Sequence, residues 1–75
     1  MCVILACDTS RPTLEILKKA ESSNRDGGSI AFLRKGQARW IKNIKADQVF
    51  QISKVAPFPF VIHFRVATHG ATLDI

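Results

Sequence analysis

Residues 60–67, Phe-Val-Ile-His-Phe-Arg-Val-Ala, constrain this chain more than any other stretch. The run is rich in Val, Ile and Phe, whose branched or flat side chains suit a pleated surface. Pro57 and Pro59 stand just before it; each fixes φ and withholds an N–H, which holds Phe58 extended. Side chains alternate across a strand, so His63, Arg65 and Ala67 share one face while Phe64 and Val66 take the other. An arginine on an inward face is costly unless it meets an anion, and a bidentate carboxylate is the usual partner. The strand also needs neighbours, and the rest of the chain has to supply them.

Only 75 residues, 8.3 kDa, are there to do so. That is one domain, and a chain of this size buries only about 60% of the surface its unfolded form exposes. Apolar residues at 47% and charged residues at 23% are ordinary for a globular fold and argue against disorder. No apolar run approaches the roughly 18 to 20 residues of a membrane span. Met1 to Asp8 has a short apolar stretch without a basic leader, so no signal peptide is expected. A large single-chain enzyme, a membrane channel and a collagen-like fibre are excluded.

The other elements can be read from pattern. Residues 2–7 are apolar on both faces, which predicts a buried strand. Ser10 before Arg11 and Pro12 reads as an N-cap and the first helical positions. Leu14, Ile16, Leu17 and Ala20 then supply a helix face, ending by about Glu21. Residues 22–28, Ser-Ser-Asn-Arg-Asp-Gly-Gly, form the clearest loop. Residues 29–33 and 38–44 predict a hairpin turning at Lys35-Gly36-Gln37. From Ala46, the spacing of Val49, Phe50 and Ser53, with Ile52 and Val55 beside them, predicts a short second helix. The expected order is β-α-β-β-α-β, an α/β sheet protein.

Eleven Lys and Arg against six Asp and Glu give a net charge of +5. The basic residues are scattered; the densest stretch runs from Arg34 to Lys45 with Trp40 inside it. A solvated face accounts for that stretch, and nucleic acid is not expected as a partner. Cys2 and Cys7, five residues apart on one strand, are about 16 Å apart when extended, beyond disulfide reach. Two Cys and two His at these spacings match no zinc pattern, so neither a metal nor another cofactor is expected. Unbridged cysteines suit a reducing, cytoplasmic setting.

Three local features form a set. Cys2 follows the initiator Met, and removal of Met1 would free an α-amine, with an unperturbed pKa of about 8, to serve its thiol as base. Asn24-Arg25-Asp26-Gly27-Gly28 leads into an apolar strand through glycines that permit a close backbone approach. Residues 63–70, His-Phe-Arg-Val-Ala-Thr-His-Gly, put Arg65 at a strand end and then turn the chain beside it. Taken singly, each has an ordinary structural explanation.

Together, in this order and spacing, they resemble the start of a class II glutamine amidotransferase domain, an N-terminal-nucleophile (Ntn) hydrolase. The resemblance runs from residue 2 to residue 70, and the His-x-Arg-x-Ala-Thr-His-Gly stretch is its most specific part. It implies an αββα sandwich, mainly antiparallel, of which residues 1–75 would be one truncated domain. It implies that Cys2 attacks the glutamine side-chain amide, that Arg65 clamps the α-carboxylate, and that Thr68, His69 and Gly70 line the glutamine pocket. Asn24, Asp26 and Gly27 would form a supporting turn. The family's oxyanion-hole Asn-Gly and amine-binding aspartate would fall after Ile75, and Ser29 stands where a second glycine is usual.

Two kinds of partner follow from this reading. As an enzyme the chain would take glutamine and pass ammonia to a synthase. As half a sandwich it would expose a sheet face and an edge, and so self-associate or recruit a chain that completes the fold. The second possibility describes a non-catalytic assembly subunit, such as a component of a phage or a self-associating particle.

Overall fold

The computed structural model describes residues 2–65. Thr13, rather than Ser10, opens the first helix, α1 (Leu14–Ser23): its backbone is extended and its Oγ1 accepts a hydrogen bond from the Ile16 N–H at 3.2 Å. The expected start fails for a local reason. A helix capped by Ser10 would need Arg11 helical, and the ring of Pro12 disfavours that conformation in the residue before it. Arg11 instead reaches across the molecule. Its Nη1 donates to the carbonyls of Ser53 and, at 2.8 Å, Ala56, and its guanidinium lies 4.2 Å from the centre of the Phe58 ring.

At its other end α1 runs two residues past the expected stop. Asn24 closes it, with the backbone N–H donating to Glu21 O and Nδ2 to Ala20 O, both at 3.1 Å. Leu17 is fully buried, whereas Ile16, expected on the same face, points to solvent at 48% exposure. The second helix, α2 (Ala46–Ser53), follows Lys45, a residue type with little capping ability. Its first turn borrows an acceptor from α1: the Ala46 N–H donates to Glu21 Oε2 at 2.9 Å.

Among the described residues four strands make one antiparallel sheet: β1 (Cys2–Cys7), β2 (Gly27–Arg34), β3 (Gln37–Ile44) and β4 (Phe60–Arg65), in the order β1-β4-β2-β3. With α1 after β1 and α2 after β3, the chain has the expected mixed α/β composition. β2 and β3 are a hairpin closed by Lys35 and Gly36, whose φ values of 52° and 76° are those of the two-residue turn that matches strand twist. Strand β4 enters the middle of the sheet, which is why its residues were the most apolar of the chain. Phe60, Ile62 and Phe64 alternate inward and are essentially fully buried with Leu17, Ile30, Ala46, Val49 and Ala56.

Both helices pack on that one face. The opposite face presents Ile4, Leu33, Trp40 and Val61 to the exterior of the described residues. This corrects the reading of β1 as a buried strand. Strand β1 pairs only with β4 among the described strands, and Ile4 is 67% exposed. The Asn24–Gly28 stretch is also shorter as a loop than expected, since β2 already begins at Gly27. No helix among the described residues is long and apolar enough to cross a membrane.

Candidate functional site

The register of the sheet brings three of the sequence-predicted residues, Cys2, Gly27 and Arg65, together at one end. Cys2 lies directly opposite Arg65 across the β1–β4 ladder, and Gly27 lies opposite Arg65 across the β4–β2 ladder. Three strands therefore contribute one residue each to a single row. Directly opposed residues in an antiparallel pair have Cα atoms about 4.5–5.5 Å apart. The Asn24–Gly27 turn closes on the same row: the Asp26 N–H donates to Arg65 O at 2.8 Å. Asn24 itself is buried and spends its side chain on capping α1, so its part is structural.

Alternation along β4 sends Phe64 into the core and Arg65 to the opposite face. There the guanidinium is half-buried, and Nη1 is fully enclosed with no hydrogen-bond partner among the described residues. A buried charged donor left unpaired costs roughly 1–3 kcal/mol or more, so this is a group poised for an anion. Gly27 faces the same side chain, and a Cβ there would sit 3.6 Å from Arg65 Nε. A cleft of about 10 Å³, room for a water-sized group, is lined by Gly27, Ser29, Lys42, Asn43, His63 and Arg65.

Beyond Ser29 and His63, which border both, the cleft opens onto a shallow apolar trough of about 250 Å³ across the uncovered sheet face. Trp40, Val61, Ala31 and Ile4 form its floor. The Lys42 ammonium lies 4.7 Å from the Trp40 ring centroid, so a cation and an aromatic face sit at the junction. Sequence reasoning singled out neither Lys42 nor Asn43 for this site. Both come from β3, whose place beside β2 is a tertiary fact, and Asn43 is aimed by a left-handed backbone with φ of 59°.

Cys7 lies at the far end of β1, beside Asp8. Burial pushes its thiol pKa up, Asp8 adds to the rise and Arg11 partly offsets it, so this cysteine is the less reactive kind. Among the described residues no group of three or more His, Cys, Asp or Glu is placed to hold a metal ion. Thr68, His69 and Gly70 lie outside the described residues. Comparison with protein-family models, with curated proteins and with solved structures finds no significant match.

Proposed function

We propose that this chain is the amino-terminal part of a glutaminase domain of the class II amidotransferase type. In this reading Cys2, freed by removal of Met1, attacks the side-chain amide carbon of glutamine. The α-amine takes the thiol proton and returns it to the leaving nitrogen, so ammonia departs and a γ-glutamyl thioester remains. Water then hydrolyses the thioester to glutamate and regenerates the thiol. Arg65 holds the α-carboxylate by a paired, charge-assisted contact, and Thr68, His69 and Gly70 line the pocket. The four-layer sandwich belongs to the same proposal, with its second sheet on the uncovered face, and so does a reducing, cytoplasmic setting.

One observation carries the reading. Arg65 has a buried guanidinium nitrogen without a partner among the described residues, and it stands in the same row as Cys2. A structural arginine would be expected to satisfy that nitrogen within the fold. The test is the intact mass of the protein before and after incubation with an electrophilic glutamine analogue. Loss of Met1 with a single adduct, absent in Cys2→Ala and weakened in Arg65→Ala, is the expected result. Retained Met1 and no adduct would remove the catalytic reading.

A second reading is favoured by the sheet face itself. Ile4, Leu33, Trp40 and Val61 form an uncovered apolar surface, the kind that marks a contact with another chain. On that reading the chain is a non-catalytic assembly subunit and the Cys2–Arg65 row is inherited geometry.

A further inference from the structure

The two edges of the sheet formed by the described residues are defended very differently. β3 carries Arg39 and Lys42, is followed by Lys45, and loses register with β2 between Gly28 and Ile30. Charges and irregularities of this sort are how natural edge strands refuse a further strand. β1, Cys-Val-Ile-Leu-Ala-Cys, has no charge, no proline and no glycine, and its ladder to β4 runs without a shift. Ile4 and Ala6 are exposed along it.

We propose that the outer edge of β1 receives β1 of a second copy of this chain, antiparallel across a two-fold axis normal to the sheet. Opposed residues in such a ladder project to the same face, so even-numbered residues must meet even-numbered ones. Centring the axis on Ile4 sets this side chain against its own counterpart, with Cys2 opposite Ala6 and Val3 opposite Leu5. Centring it on Leu5 would draw Asp8 into the ladder, which an uncharged seam disfavours. The four strands of each copy then form one continuous sheet.

Charge selects a second copy as the occupant. A neutral strand paired with itself sets no like charges opposite each other, whereas β3 paired with itself would oppose its own cations. The two cations of the β3 edge, Arg39 and Lys42, also lie three strand spacings from β1, about 14 Å, so they are screened from the seam. An isologous pairing uses up both β1 edges and closes at a dimer instead of growing into a fibre. Strand-edge contact is at the small end of interface sizes, so the dimer is expected to dissociate on dilution.

Sedimentation of the full chain over a range of concentrations reads this directly. The expected result is a twofold rise in mass with concentration, accompanied by growing hydrogen-exchange protection of β1 amides. Ile4→Lys, at an exposed position, should leave the circular dichroism unchanged and weaken the dimer about tenfold by opposing two ammonium groups. Trp40→Lys, on the uncovered face and the β3 edge, should leave the dimer intact. A monomer at every concentration overturns the proposal. A dimer weakened by Trp40→Lys overturns it in favour of the sheet face, on which both side chains lie. The glutamine reading is judged by the adduct and this one by the mass of the assembly, so either can fail alone.

Discussion

Cys2 and Arg65 stand directly opposite each other on the β1–β4 ladder, although they lie near opposite ends of the described chain. Pairing of β1 with β4 makes this row, and the Asp26 N–H ties the turn before β2 to it through Arg65 O. A nucleophile candidate, a guanidinium and a backbone turn thus meet by sheet register and not through a flexible loop. Elements of the scaffold place such groups more tightly than loops do.

Arg65→Met separates function from stability. Nη1 is buried and has no partner among the described residues, so an apolar side chain of similar length removes a desolvated charge at little cost in packing. Urea unfolding should show stability unchanged or raised by about 1 kcal/mol. Labelling by the glutamine analogue should fall at least about tenfold, the loss of one charge-assisted contact. A marked loss of stability would mean that Arg65 is a structural residue instead.

Thr13→Ala should cost about 1 kcal/mol, because the Oγ1 that accepts the Ile16 N–H is lost. In a domain of this size that lowers the melting temperature by about 4–8 °C. Ser10→Ala should stay within about 0.5 kcal/mol. Thermal melts of the two variants side by side decide which residue begins α1.

The contrast between Ser10 and Thr13 shows what kind of information the residues carried. Alternation in Phe60–Arg65 and the Lys35-Gly36 turn are local, and both were legible. So was the solvated character of the Arg34–Lys45 stretch, which is an exposed edge strand except near Ile44. The environment of β1 was not legible, because an apolar run does not reveal whether one face or two will be covered. That depends on the order β1-β4-β2-β3, a property of distant pairings. The same limit hid Lys42 and Asn43, which reach the Arg65 cleft only because β3 lies against β2. It also hid Glu21, whose carboxylate satisfies the first turn of a helix that begins 25 residues later.

Cys7 gives a pH dependence with a definite sign. Its folded-state pKa is raised, by burial first and by Asp8 second. The folded protein therefore holds the thiol proton more tightly than the unfolded chain does. The associated stability is complete below the unfolded value of about 8.5 and is lost as pH rises from there through the folded value. Urea midpoints of the protein should fall more steeply between neutral and alkaline pH than those of Cys7→Ser. Alkylation of Cys7 near neutral pH should be slower than that of a small free thiol. Equal slopes in the two proteins would show that Cys7 titrates alike in both states.

Gly28→Ala examines the packing beneath the site. Gly28 pairs with Phe64, and the Phe64 ring occupies the space where a side chain would begin. A Cβ at position 28 would come within 2.6 Å of Phe64 Cε1 and 2.7 Å of Ile44 O. The ring belongs to the fully buried core and the carbonyl belongs to β3, so neither neighbour is the free end of a flexible chain. Overpacking of this kind costs about 1–3 kcal/mol, a large share of what so small a domain has in hand. Because Phe64 is the residue before Arg65, displacement of its ring should also disturb the row shared with Cys2. Urea unfolding should show the loss of stability, and analogue labelling should fall even under conditions where the variant is fully folded. A second substitution, Phe64→Leu, vacates the ring position but leaves the approach to Ile44 O, so it should rescue both in part; partial rescue would establish that the close approach of Gly28 to Phe64 helps set Arg65 in place.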